Sequence, residues 1–495
     1  MRNNNPAASG AGGAAVSGLK IVRTVDGMTA DDSASVAVAA EMPANARLQS
    51  LKRKKMERAS REQLRGDRFL WGIYLMLMCY SIIELYSASS SEIRGGHVFA
   101  PIIQHAIYLG TGFVLILLMS NIHYKVYRKT AVLFAIVAVV LMVWSTFGGV
   151  VINGAQRAIK LGGFTIQPAE IAKLALVVVL AKVISKYQMP QGVTNTGMFI
   201  ALGISALFCA LLFKNGLTNT ILIGGTAFSM LVIGGLQMRK LLIIILCLAC
   251  IGGPIIYKKF IAEEKAPQGT ATEQYVAGAG DGGGIDRTEL RRDRLKSFKE
   301  GVKPTDKITD ENRQVIFSKF AQAHGGVLGQ GPGNSRENAR LPLAFSDYIF
   351  SIIIEDTGFV GGVFLLLMYL SLIGAAGRIA VKCRKAFPAL LIMGCAVMIV
   401  MQALMHMSIV VGIVPVSGQP LPFISKGGTS VIVMSAAMGM MLSVSKFASR
   451  TGKDSKGSEA IRAAVADKSE TDNPTMLHTA TADKNASSNS DPLTY

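Results

Sequence analysis

The stretch "RLQSLKRKKMERASREQLRGDR" (47–68) runs without a break into "FLWGIYLMLMCYSIIELYSAS" (69–89). A dense basic segment thus abuts 21 largely apolar residues. About 20 apolar residues span the hydrocarbon core of a bilayer as a helix, and basic residues beside such a span stay on the cytoplasmic side. This junction therefore reads as the first membrane entry of a chain whose N-terminus is inside.

The rest of the sequence repeats the pattern. Of 495 residues, 50% are hydrophobic and 17% charged, which is too apolar for an ordinary soluble domain. Ten apolar blocks can be drawn, at 69–89, 101–119, 129–150, 167–186, 198–213, 217–236, 239–257, 346–375, 387–412 and 427–446. Only "KNG" (214–216) separates the fifth from the sixth. The expected fold is all-α: a polytopic membrane protein with about ten transmembrane helices and one large extracytoplasmic loop, 258–345.

Charge sets the expected orientation. Twelve Lys and Arg lie in residues 1–68, and basic connections follow at "HYKVYRKT", "KVISKYQMPQG", "QMRK", "GRIAVKCRKAF" and "SKFASRTGKDSK". The alternate connections are poorer in positive charge, so an even number of spans leaves both termini cytoplasmic. The net charge of +19 is then mainly a topology signal. It gives no support to nucleic-acid binding, because the basic residues flank membrane segments and lack interleaved aromatics. Residues 47–68 also suit contact with anionic lipid headgroups.

No apolar segment follows Arg2, so the chain opens as a tail rather than a signal peptide. Residues 1–68 and 448–495 read as disordered cytoplasmic tails around a membrane domain at 69–447. The six cysteines (79, 209, 247, 250, 383 and 395) avoid the large loop and show no disulfide or zinc spacing.

Charged residues inside spans cost about 2.5–3.5 kcal/mol each on insertion scales, so each marks a candidate site. Glu170 and Lys173 in "QPAEIAKLAL" are three apart and share a helix face; they read either as a site or as a buried pair fixing helix packing. Glu355 and Asp356 stand in "SIIIEDTG", with Arg340 and Asp347 near the boundary. His406 in "QALMHMSIVV" reads as a hydrogen-bonded packing histidine rather than a proton relay. The stretch "VPVSGQPLPFISKGGTS" (414–430) holds too much proline and glycine for continuous helix. Such backbone survives at membrane depth only when protein buries it or water fills a cavity. In "AQAHGGVLGQGPGNS" (321–335) five glycines suggest either a phosphate-cradling turn or close backbone packing. It lacks the Gly-Lys-Ser/Thr ending of a P-loop.

Four blocks together resemble the SEDS family of shape, elongation, division and sporulation proteins. They are "NGAQRAIKLGGFTIQPAEIAKLAL" (153–176), "AQAHGGVLGQGPGNS", "LPLAFSDYIFSIIIEDTGFVGG" (341–362) and "VPVSGQPLPFISKGGTS". They stand in family order across residues 69–447, and the "GxGxGNS" form is closer to the cell-division (FtsW-like) branch. The resemblance implies a peptidoglycan glycosyltransferase that polymerises lipid II at the outer face of the cytoplasmic (inner) membrane, and the division branch implies the division septum as its place. The alternatives are a lipid II transporter and a division scaffold.

The resemblance also implies a loop aspartate as general base. The family pattern "DP…GYQ" reads "KPTDKITDENRQ" (303–314) here, with Gln314 kept and Arg313 in place of Tyr. Asp306 is the expected base and Asp310 the runner-up. Arg157, Lys160, Glu170, Lys173, Arg340, Asp347, Glu355 and Ser425 carry over as substrate-binding positions. Gly331, Gly333, Asn334, Pro168 and Pro422 carry over as structural ones. The chain departs from the pattern at Ala158, at "NGLTNT" (215–220), at His406 where Asn is usual and at Lys426 where Tyr is usual. A divalent cation (Mg or Mn), a class B penicillin-binding protein acting as transpeptidase and other division proteins are the implied cofactor and partners.

Overall fold

The computed structural model describes residues 67–94, 100–148, 150–152, 155–161, 164–190, 192–213, 216–237, 239–244, 246, 298, 301, 308, 312–337, 340–341 and 346–447. The two tails, nearly all of 258–311, Cys247 and Cys250 lie outside them. So do Asp306 and Asp310.

Helices occupy the expected blocks: α1 (Arg68–Arg94), α2 (Ala100–Asn121), α3 (Tyr124–Gly148), α4 (Pro168–Lys186), α5 (Asn195–Phe213) and α6 (Leu217–Ile233). After them come α7 (Arg313–Gly325), α8 (Ile349–Val381), α9 (Ala386–Val411) and α10 (Gly428–Phe447). Of the block at 239–257, residues 239–244 and 246 are helical and the remainder lies outside the described residues. Six helices among the described residues are long and apolar enough to cross a membrane: the described part of α2 from Ile103, α3, α5, α8, α9 and α10. At 17 residues α6 is a shorter apolar helix. The chain is a multi-pass membrane protein.

Two features were not expected. Between α3 and α4 the chain forms an antiparallel meander of β1 (Val150–Ile152), β2 (Ala155–Leu161) and β3 (Phe164–Ile166). A small hairpin, β4 (Gln188–Met189) and β5 (Gly192–Val193), joins α4 to α5. Glycines at 154, 162 and 163 punctuate β-branched runs in the meander, which favours short extended pieces over helix.

The helix with the most charge in its apolar block is the central one. α4 packs against α3, α5, α6 and α9. Buried side chains occur on all its faces between Pro168 and Ile184, Glu170 and Lys173 included, with Ala169, Ile171, Lys182 and Val183 half-buried. A helix buried all round belongs to the core. Pro168 stands in its first turn, where the missing N–H is no loss. By contrast α3 exposes Leu133, Ile136, Val140 and Trp144, the face a bilayer would cover.

Candidate active site

Two clusters of non-helical backbone organise the polar residues. The first is the glycine turn that leaves α7. In a continuous helix the Phe359 N–H would donate to the Glu355 carbonyl and the Val360 N–H to the Asp356 carbonyl. α8 is instead broken at Gly358, with φ +71°, and the turn inserts into the break. Gln330 N–H donates to the Glu355 carbonyl and Gly331 N–H to the Asp356 carbonyl, both at 2.9 Å. Phe359 and Val360 donate to the carbonyls of Gly326 (3.0 Å) and Val327 (3.2 Å). Both severed helical pairs are thereby satisfied. The approach is so close that a Cβ on Gly325, Gly329 or Gly358 would collide with the carbonyl of Ile354, Asp356 or Val327. Close packing accounts for these glycines.

Side chains finish the attachment. The Glu355 carboxylate accepts from Ser335 Oγ (2.5 Å), Arg336 N–H (2.8 Å) and Glu337 N–H (3.3 Å). Asn334 Nδ2 donates to the Gln330 carbonyl, and Gly331 and Gly333 have φ near +90°. Glu355 is thus committed to the turn. Arg340 is largely exposed and approaches buried Glu337 only at 3.5 Å.

Beneath the turn runs a polar seam that sequence reasoning missed. Ser87 of α1 accepts from Gly333 N–H and donates to the Asp356 carboxylate, while Tyr80 meets Thr357. Glu84, on the same face of α1, is fully buried with no hydrogen-bond partner for either oxygen. The signal was available, since Glu84 interrupts the first apolar block as plainly as Glu170 interrupts the fourth.

The second cluster surrounds the segment 414–430. Lys173 Nζ donates to Glu170 Oε1 (2.6 Å) and to Gln402 Oε1 of α9 (2.5 Å). Gln402 Nε2 donates to the Pro420 carbonyl and to Ser430 Oγ, both at 3.2 Å. His406 Nδ1 lies 2.6 Å from the Gln419 carbonyl, the hydrogen-bonded packing role expected of it. From α8, Tyr369 Oη donates to the Pro422 carbonyl at 2.5 Å. Ser425 Oγ accepts from Leu421 N–H (2.7 Å) and donates to the Ser346 carbonyl (2.8 Å). Asp347 lies beside Gly418, whose Cβ position is 2.9 Å from Asp347 Oδ2. Thr429 ties the start of α10 to the Thr165 carbonyl of β3 (2.7 Å).

Glu170, Lys173, Asp347 and Ser425 therefore converge on one segment, together with Gln402, which the sequence alone did not single out. Glu355, Arg340, Gly331, Gly333 and Asn334 gather at the glycine turn instead. Arg157 and Lys160 stand on β2, which pairs with β3 just before α4; their side chains lie outside the described residues. A divalent cation finds no ligand set here. Among the described residues no three His, Cys, Asp or Glu side chains lie together, Glu170 faces Lys173, and Glu355 faces the turn.

A polytopic α-helical membrane protein with a buried ammonium beside a clamped, proline-rich re-entrant segment is the class that fold and site define. A family model described as "cell cycle protein" and covering FtsW, RodA and SpoVE matches residues 67–450. The chain belongs to the FtsW/RodA/SpoVE family. It is 29% identical over 390 residues to a probable peptidoglycan glycosyltransferase FtsW of Geobacter metallireducens, covering 77% of this chain and 95% of that one. Stage V sporulation protein E of Bacillus subtilis is 28% identical over 388 residues, covering 77% and 97%. Peptidoglycan glycosyltransferase MrdB of Escherichia coli is 28% identical over 375 residues, covering 75% and 91%.

Solved structures share the fold. A chain from a peptidoglycan synthase complex that coordinates polymerization and crosslinking aligns with a TM-score of 0.60 at 21% identity, over 77% of this chain and 98% of that one. The rod shape determining protein RodA of Thermus thermophilus aligns at 0.52 and 20% identity, over 77% and 97%.

Proposed function

We propose that this protein is a peptidoglycan glycosyltransferase that polymerises lipid II into glycan strands, serving septal synthesis in cell division. The observation that carries the reading is Lys173: a cation held at membrane depth by Glu170 and Gln402 beside the re-entrant segment. It is found in a chain whose relatives bear the name peptidoglycan glycosyltransferase.

The acceptor hydroxyl attacks the anomeric carbon of the donor sugar, and undecaprenyl pyrophosphate leaves. Asp306 takes the proton from that hydroxyl, with Asp310 the second candidate; positioned general bases contribute about 10²–10⁴-fold. Lys173, together with Arg157 and Lys160 of the meander, supplies positive charge to the developing pyrophosphate. Glu170 keeps Lys173 in place. Asp347 and Ser425 hold the re-entrant wall against which the sugar lies, and Arg340 offers an exposed cation at the mouth. A need for Mg or Mn belongs to the same proposal and is read from activity in chelator and after re-addition.

The reaction lies on the outer face of the cytoplasmic membrane, with both termini cytoplasmic. A class B penicillin-binding protein crosslinks the product, and other division proteins bring the pair to the septum. The deciding experiment measures polymerisation of lipid II by the purified chain with that partner, crosslinking blocked, for wild type, Asp306→Ala and Asp310→Ala. Loss in Asp306→Ala alone is expected. Loss in Asp310→Ala alone moves the base, and full activity in both overturns the loop-carboxylate mechanism in favour of transport or scaffolding.

A further inference from the structure

The segment 414–430 makes few backbone hydrogen bonds of its own, and side chains from α9 grip two of its consecutive carbonyls. Gln402 and His406 stand one turn apart on α9, hence on one face. Gln402 donates to the Pro420 carbonyl, and His406 meets the carbonyl of Gln419. Both side chains are buried, at 0% and 1% exposure.

Hydrogen-bond chemistry fixes how each is oriented. An ammonium only donates, so the amide oxygen of Gln402 must face Lys173. Its NH₂ is then left for Pro420 and Ser430, as the geometry has it. A carbonyl only accepts, so His406 must carry its proton on Nδ1. The result is a connection from Glu170 through Lys173 and Gln402 to the Pro420 carbonyl, with His406 gripping the preceding carbonyl, that of Gln419. Lys173 and the re-entrant segment are registered against each other through a single amide.

We infer that Gln402 and His406 are positioning residues for the transfer reaction: they set the re-entrant segment and the Lys173 ammonium in one fixed relation. The inference rests on the glycosyltransferase reading, in which Lys173 meets the leaving pyrophosphate. Displacing a charge-stabilising group by about 1 Å can cost on the order of 100-fold in rate. A role in positioning therefore predicts a kinetic defect larger than the loss of stability explains.

The test uses the full chain with its penicillin-binding partner and lipid II, reading kcat, KM and the thermal midpoint separately. Gln402→Glu keeps an acceptor for Lys173 but has no NH₂ for Pro420 and Ser430. It is expected to lower kcat by about 10- to 100-fold, with KM changed much less. His406→Phe removes the donor and acts in the same direction. His406→Asn, the residue usual in the family, restores an N–H and most of the rate. Tyr127→Phe removes a hydroxyl that donates to the Met119 carbonyl (2.6 Å) between α3 and α2, away from the re-entrant segment; it lowers the thermal midpoint and leaves kcat alone.

Wild-type kcat in both Gln402→Glu and His406→Phe overturns the inference. So does an equal loss of kcat in Tyr127→Phe, which would make the defect one of stability only. If Gln402→Glu does not accumulate, the His406→Phe and His406→Asn pair decides by rescue. A wild-type chain that fails to polymerise refutes the glycosyltransferase reading itself, a result distinct from any of these.

Discussion

The glycine turn and the re-entrant segment solve one problem in opposite ways. Both place irregular backbone against membrane helices, where every unpaired N–H and C=O is costly. The glycine turn is held by main chain on main chain: four bonds replace the two helical pairs lost at Gly358. The re-entrant segment is held by side chains of Gln402, His406, Tyr369 and Ser425. The first arrangement therefore fails when an atom is added, and the second when a donor is taken away. It follows that glycines matter in one place and remote polar side chains in the other.

The largest effect should come from the side-chain-held region. Lys173→Met leaves the Glu170 carboxylate buried without its cation, which costs about 3–5 kcal/mol. The midpoint of unfolding in detergent measures this, and the double variant Glu170→Gln/Lys173→Met should cost less than the single one. If the single variant is as stable as wild type, the two regions do not differ in the way described.

Next is the turn. Gly329→Ala drives a Cβ into the Asp356 carbonyl at φ +81°, whereas Gly326, at φ +53°, has open space around it. A loss of about 2–4 kcal/mol is expected at 329, the range of severe point substitutions. At φ +53° and ψ −140° Gly326 lies in backbone almost confined to glycine, which alone costs about 1–3 kcal/mol, the expectation for Gly326→Ala. Equal losses at the two positions would mean that backbone conformation, not close approach, sets the demand for glycine.

The smallest effect has the opposite sign. Glu84→Gln removes an unpartnered carboxyl group that faces the Asp356 side of the seam, and should raise stability by about 1 kcal/mol. A fall instead would show that Glu84 supports the turn through α1.

Much of this was legible in the residues. Nine of the ten apolar blocks coincide with described helices, because about 20 apolar residues in lipid have few alternatives to helix; of the block 239–257 only 239–244 and 246 are described, and they are helical. Glu170 and Lys173 at i, i+3 gave their pairing, and 414–430 gave its irregularity. Gln402 was not legible, since its role depends on Lys173 and Pro420, which lie 229 and 18 residues away in the chain. Glu355 carried over from the family resemblance as a substrate-binding position, but its oxygens are taken by residues 335–337 of the turn. Local patterning carries no information about such pairings.

By itself the sequence determined that this protein is a multi-pass helical membrane protein, where its charged intramembrane residues lie, and to which family its blocks belong. Those properties follow from run length, composition and short motifs. Only the tertiary structure decided that α4 is the core helix, that α8 opens at Gly358 to receive the turn, and that Gln402 joins Lys173 to the re-entrant segment. Each of these is a pairing of groups distant in the chain. Their donors and acceptors must be satisfied where water does not reach, and only the packed helices bring them together.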